Sequence, residues 1–259
     1  MTGIIATATG SLSALLMMKS IILPYPRIMK ESGRVKNELA GSSRELVVLL
    51  HGIMRSPRSM GSIQRRLESV GYDVLNFGYP STSEPIETIA GMLDAKLRGL
   101  PKKKGRKIHF VTHSMGSIIV RYYFAHYKPR RPGRVVMIAP PNRGSFLASY
   151  LMSWPPYRWF FGEAGQQIAR SPNALPNTLP PPKCEFGVIA GGLGKKRGFN
   201  PFIPGDNDMT VAVEETRLTG MKDFILIPSQ HSMLLYNKRV IENTVAFIEK
   251  GNFITLTEK

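Results

Sequence analysis

Residues 107–117, Lys-Ile-His-Phe-Val-Thr-His-Ser-Met-Gly-Ser, constrain the fold of this chain more than any other stretch. An apolar run ends in Thr112-His113-Ser114-Met115-Gly116, and a helical pattern starts directly after it. Strand, sharp turn carrying a serine, then helix is the layout of a nucleophile elbow. The turn crowds the serine backbone, so small residues are needed two positions to either side. Gly116 meets that need, whereas Thr112 stands where glycine is usual.

The surrounding pattern extends the same architecture. Glu45–Leu50 is a β-branched and leucine run suited to a strand buried on both faces, and it runs into His51-Gly52-Ile53. Ser56-Pro57 reads as a helix start, with Met60, Ile63, Leu67 and Val70 at helical spacing and Gly71 as the stop. Tyr72–Tyr79 reads as a strand, and Ser83 as the cap of a helix burying Ile86, Ile89, Leu93 and Leu97. Ile108–Val111 leads into the elbow, and the helix after it covers about 115–127. Arg134–Ala139, Glu185–Ala190 and Phe224–Pro228 read as further strands, and residues 234–250 as a closing helix burying Leu235, Val240, Val245 and Ile248. Strands alternating with helices imply a mostly parallel sheet flanked by helices, an α/β fold. From Ser145 the alternation stops, and Tyr150, Trp154, Tyr157, Trp159, Phe160 and Phe161 cluster ahead of a proline-rich stretch. Residues 145–183 are expected to form a small cap insertion whose aromatics mostly pack it against the body. Residues 1–44 form an apolar segment and polar linker ahead of a domain covering 45–259. Segment 1–23 reads as a packed helix, a weak membrane anchor or an atypical export signal, which leaves cytoplasmic, membrane-associated and exported locations open.

Charge narrows the partners. Thirty-five Lys and Arg against 18 Asp and Glu leave a net charge of +17. The basic clusters at 102–107, 128–134 and 195–197 carry no aromatic ladder and no zinc-finger or RNP-like motif, which argues against nucleic acid. An anionic membrane surface or a merely solvated basic face remains. The first two clusters precede strands and belong on the sheet edge opposite the site, so only 195–197 should face it. One cysteine, Cys184, excludes an internal disulfide and a cysteine-based metal cage.

A serine hydroxyl needs a general base in contact and donors aimed at the developing oxyanion. Partners of an elbow serine follow it in the order acid, then histidine. His51 and His109 precede Ser114, His113 is expected to point away from it, and His126 lies far along the helix. His231, beyond the carboxyl end of the last strand, is the candidate base. Asp223 enters that strand from the wrong end, which leaves Asp206 and Asp208 in Gly205-Asp-Asn-Asp-Met-Thr-Val, with Glu214 as an outsider. The backbone N–H groups of Ile53 and Met115 are the candidate oxyanion donors.

Four stretches, Val47–Ser59, 110–117, Met137–Gly144 and Pro204–Glu215, resemble the α/β-hydrolase superfamily on its lipase and esterase branch, near bacterial lipase-like and GPI-inositol-deacylase-like proteins. The resemblance covers residues 45–250. In such lipases the acid commonly stands in Asp-Gly-x-Val, which aligns with Asp208-Met209-Thr210-Val211 and favours Asp208. Three positions depart from the pattern: Thr112 and Met209 where glycine is usual, and Ser117 where a second glycine is frequent. The resemblance implies a cofactor-independent, metal-free serine hydrolase acting on small-molecule or lipid carboxylic esters. The alternatives are acyl transfer by the same triad, or an inactive hydrolase-fold module bound to anionic membrane.

Overall fold

The computed structural model describes residues 44–254 apart from 103 and 153. The segment and linker expected over 1–44 lie outside the described residues except for Arg44. Six strands, β1 (Leu46–Leu50), β2 (Asp73–Phe77), β3 (Ile108–His113), β4 (Pro132–Ile138), β5 (Phe186–Gly192) and β6 (Asp223–Pro228), form one sheet in the order β2-β1-β3-β4-β5-β6. Every pairing is parallel. Helices among the described residues are, in chain order, α1 (Gly61–Ser69), α2 (Ile86–Arg98), α3 (Gly116–His126), α4 (Phe146–Met152), α5 (Pro155–Gln167), α6 (Leu175–Thr178), α7 (Val213–Thr216) and α8 (Lys238–Lys250).

The central strands separate two cores. Along β1, Leu46, Val48 and Leu50 enter one core, and Val47 and Leu49 enter the other. Ile89 and Leu93 of α2 and Ile118 and Ile119 of α3 cover the first face. Ile63 and Leu67 of α1 and Val240 and Ile248 of α8 cover the second. That double covering is why β1 reads as an unbroken apolar run, each buried side chain contributing roughly 1.5–3 kcal/mol. The chain leaves β1 for β2 on one side and returns to β3 on the other, so the strand order reverses between β1 and β3. A crevice opens at the carboxyl ends of strands where such a reversal occurs.

Several element ends differ from the sequence expectation. Ser56 does not cap a helix with its side chain; Pro57–Met60 form a 3₁₀ turn and α1 starts only at Gly61. Ser83 does not cap α2 either. The Ile86 N–H is taken by Gln167 Oε1 at 2.8 Å, from 81 residues away, which no local pattern could reveal. The closing segment divides into a 3₁₀ turn, Met233–Tyr236, and α8, which Asn237 caps by accepting from the Arg239 N–H and Gly251 ends at φ 81°. The expected Leu235, Val240, Val245 and Ile248 are all buried.

Residues 145–183 hold α4, α5 and α6. Gly162 breaks α5 at φ 57°, where an added Cβ would sit 1.9 Å from the Thr82 carbonyl oxygen. Arg121 of α3, 1% exposed, donates to the carbonyls of Leu179, Pro180 and Asn142, which ties the end of this segment to the body. The aromatics behave differently from expectation. Phe161 is buried, but Tyr150, Trp159 and Phe160 are exposed, with Trp159 at 80%. The basic clusters are also partly structural: Arg106 is buried in an ion pair with Asp73, Arg130 donates to the Leu97 carbonyl, and Arg134 pairs with Glu185. No helix among the described residues is long and apolar enough to cross a membrane.

Gly116 is the tightest point between α3 and the sheet, because an added Cβ would lie 2.7 Å from the carbonyl oxygens of both Leu50 and His51. Gly116→Ala is expected to lower unfolding free energy by about 1–3 kcal/mol, since backbone cannot yield as a side chain does. Urea denaturation of the two proteins measures it, and an unchanged midpoint would refute this account of the contact.

Candidate active site

Ser114 stands between β3 and α3 with φ 54°, a left-handed conformation that costs a non-glycine residue of order 1–3 kcal/mol. The surroundings hold it there: its N–H donates to the Ile138 carbonyl at 2.9 Å, and its carbonyl accepts from the Ser117 N–H at 2.9 Å. Thr112 and Ser117, both departures from small residues, meet each other. Their hydroxyls lie 2.7 Å apart in a fully buried position, and Thr112 Oγ1 also reaches the Val136 carbonyl at 3.3 Å. The two exceptions are thus one compensated pair, satisfied without water.

The loop after β6 brings His231 to the same edge. Its Nδ1 lies 2.7 Å from Asp208 Oδ2, and its backbone N–H donates to the Asp208 carbonyl at 2.7 Å. Asp208 is fully buried, and its other oxygen accepts from the N–H groups of Thr210 at 3.0 Å and Val211 at 2.8 Å. With both carboxylate oxygens engaged, the His231 Nδ1–H donates to Asp208 and Nε2 is left as the basic nitrogen. Asp206 serves elsewhere, accepting from the Leu193 and Gly194 N–H groups at the end of β5. Glu214 is exposed and pairs with Arg143 and Arg217. Met209 takes φ 87°, so the backbone keeps the conformation glycine would adopt while carrying a larger side chain.

Ser114 and His231 line one cleft. Its apolar wall comes from Ile53, Leu147, Ala148, Leu151, Phe161 and Ile168, most of them on the inserted segment. Neither the Ile53 nor the Met115 N–H has a protein acceptor among the described residues. The carboxyl ends of β1, β3 and β6 therefore present a serine, a histidine–carboxylate pair and two uncommitted backbone donors.

Residues outside the expected set complete the site. His113 packs its ring 4.7 Å from that of His231 and donates from Nε2 to the His231 carbonyl at 3.2 Å. Burial, then the neighbouring His231 and Arg55, hold its pKa well below the ordinary value, so it stays neutral. His51 is stacked on Tyr79, with ring centroids 4.0 Å apart, and burial lowers its pKa to about 4. Asn207 organises the acid loop: its amide donates to three carbonyls, those of Asn200, Ile203 and Gly205, and accepts from the Asn200 and Met209 N–H groups. Arg55 donates to Ser232 Oγ beside His231. No spacing rule picks out Asn207 or Arg55, because each acts across a loop rather than along an element. Among the described residues no group of His, Cys, Asp and Glu could hold a metal ion.

A sequence profile described as the alpha/beta hydrolase fold matches residues 45–175. The chain belongs to the alpha/beta-hydrolase family. No curated protein matches it significantly. Among solved structures, a mature Bacillus licheniformis lipase is 22% identical with a TM-score of 0.59, covering 79% of this chain and 89% of that one. An esterase of Exiguobacterium antarcticum is 17% identical with a TM-score of 0.56, covering 80% and 93%. A Legionella pneumophila phospholipase is 19% identical with a TM-score of 0.51, covering 67% of this chain and 45% of that one. These likenesses extend the shared fold over most of this chain, beyond the span of the profile.

Two outcomes follow. Thr112→Val leaves the Ser117 hydroxyl buried without its partner and is expected to cost about 1–3 kcal/mol. Adding Ser117→Ala should recover part of that, with a coupling of order 1 kcal/mol in the double-mutant cycle; strictly additive values would contradict the pairing. The second concerns acid. His51 takes a proton near pH 6.5 when unfolded but only near about 4 when folded. The unfolded chain therefore binds more protons between those values, and stability falls as pH drops through them, by about 3 kcal/mol from this residue. Denaturant unfolding at both ends of that window should show a smaller fall in His51→Gln than in the parent.

Proposed function

We propose that this protein is a serine hydrolase of carboxylic esters in which Ser114 is the nucleophile, His231 the general base and Asp208 the acid that orients it. One observation carries the reading: the strained serine turn and His231, which is backed by the buried Asp208, are contributed by loops distant in sequence and share the wall of one apolar cleft. Ser114 Oγ attacks the ester carbonyl carbon while its proton passes to His231 Nε2, and the carbonyl oxygen gains negative charge. The Ile53 and Met115 N–H groups stabilise that oxyanion; losing one such donor costs about 10²–10³ in rate. Collapse of the adduct releases the alcohol, which takes the proton from His231 and leaves Ser114 acylated. Water then attacks the acyl-enzyme, giving its proton to His231, and the carboxylic acid departs as Ser114 regains its hydrogen. Asp208 stays ionised throughout and stabilises the imidazolium.

The lining supports an apolar acyl group, since Leu147, Leu151, Phe161 and Ile168 offer hydrocarbon and no hydrogen bond. That a lipase and an esterase are among the structural neighbours supports the same substrate class. The exposed Tyr150, Trp159 and Phe160 and the net positive charge are compatible with work at a lipid surface.

A fluorophosphonate probe tests the assignment directly. Ser114 should be labelled, with labelling abolished in Ser114→Ala and strongly slowed in His231→Ala. On p-nitrophenyl esters of graded chain length, either substitution should lower kcat by several orders of magnitude, about 10⁶ when the triad acts as one unit. Labelling that persists in Ser114→Ala would remove the proposal.

A further inference from the structure

The cation of the cleft is not among the basic clusters. Arg55 lies two residues beyond Ile53 on the loop leaving β1, and it lines the same cleft as Ser114 and His231. Its loop is shaped by the Arg55 N–H donating to the Gly52 carbonyl at 3.2 Å and by Met54 at φ 54°. One guanidinium nitrogen donates to Ser232 Oγ. The other N–H groups have no protein acceptor among the described residues, and no carboxylate there lies within ion-pair distance of Arg55.

Several other arginines differ in kind. Arg66, Arg106, Arg134 and Arg143 each pair with a carboxylate, and the buried Arg121 is satisfied by carbonyl oxygens. Arg55 is partly buried, and burial lowers its pKa, so its charge is held where water solvates it poorly. A guanidinium placed in an apolar cleft without a counter-ion is unfavourable in the empty protein. Its planar fork suits the two oxygens of a phosphate or carboxylate.

We propose that Arg55 forms an anion subsite that selects esters carrying a phosphate or carboxylate on the alcohol side of the scissile bond. The side follows from the proposed mechanism, on which this inference rests. His231 returns its proton to the leaving alcohol, so the alcohol lies beside His231, and Arg55 is fastened to Ser232, the next residue. The apolar wall of the inserted segment then takes the acyl chain. The substrate class is an amphiphilic ester with a hydrocarbon acyl group and an anionic alcohol, of the acyl-glycerol phosphate kind. The fork binds the anion and takes no part in bond making.

Binding can be read without turnover. In the Ser114→Ala protein, calorimetric titration with dodecyl phosphate and with neutral 1-O-dodecylglycerol, both below their micelle concentrations, should show at least tenfold tighter binding of the phosphate. Arg55→Met should lose that preference, whereas Arg58→Met, which removes a neighbouring exposed charge, should keep it. Arg55→Gln, which removes the charge but keeps a polar side chain, provides the same readout if the methionine variant does not fold. Equal affinities in the parent, or an unaltered preference in both Arg55 variants, would overturn the subsite. Inorganic phosphate binding as tightly as dodecyl phosphate, and through Arg55, would overturn the amphiphile and assign the site to free phosphate. With Ser114 present, kcat/KM for an acyl-glycerol phosphate over the matching neutral acylglycerol should be at least tenfold, and should fall by that factor in Arg55→Gln. Arg55-dependent binding with no hydrolysis of either ester would leave the anion subsite standing and refute the ester mechanism instead.

Discussion

The backbone at Ser114 is forced to φ 54° because β3 must hand over to α3 while α3 still lies against the sheet. Gly116 permits it, since any larger residue there would press on the carbonyls that end β1. Hydrogen bonds from the Ser114 N–H to Ile138 and from the Ser117 N–H to Ser114 over-determine the turn. Strain held this way keeps the hydroxyl at the tip of the turn and leaves the following N–H uncommitted. The remaining site is placed by the sheet: all six strands run the same way, so the loops leaving β1, β3 and β6 emerge on one edge.

Around that edge Asp208 and Asn207 have their side-chain oxygens and amide satisfied by neighbouring groups. Asp208 uses one oxygen on two backbone N–H groups and the other on His231, so its carboxylate cannot swing away from the imidazole. Asn207 ties the same loop to 200–205, which lets Met209 occupy a left-handed conformation. His113 supports the His231 backbone while burial keeps its own ring uncharged. Both histidines line the cleft, but His113 is the more deeply buried and is tied to the His231 carbonyl, whereas His231 is held by Asp208.

The inserted segment is bound to the body by long-range polar contacts as well as by packing. Gln167 caps α2 through the Ile86 N–H, and the Arg121 side chain gathers carbonyls from either side of the insertion. These anchors carry the apolar wall that faces Ser114. Tyr150, Trp159 and Phe160 stay on the outer surface, against the expectation that such aromatics serve mainly to pack.

Much of this was legible in the chain itself. Leu46–Leu50 is apolar at every position and Ile108–Val111 at all but His109 because both sheet faces are covered, and that signal needs no tertiary knowledge. Chain order, helix length and strand direction together brought His231 forward and reduced the acid to Asp206 or Asp208, with Glu214 as an outsider, because strand direction decides which loops share an edge. The element ends were less legible: Ser56 and Ser83 have cap chemistry, but the donors they would have satisfied are held by a 3₁₀ turn and by a glutamine 81 residues beyond. Only the tertiary structure showed that Thr112 and Ser117 compensate each other, that His113 backs His231, and that Arg55 stands in the cleft without a carboxylate partner. Local pattern fixes what a segment is, through periodicity and backbone preference. Which hydrogen-bonding groups find each other depends on loops meeting in space, and that is decided by the packing of the whole sheet.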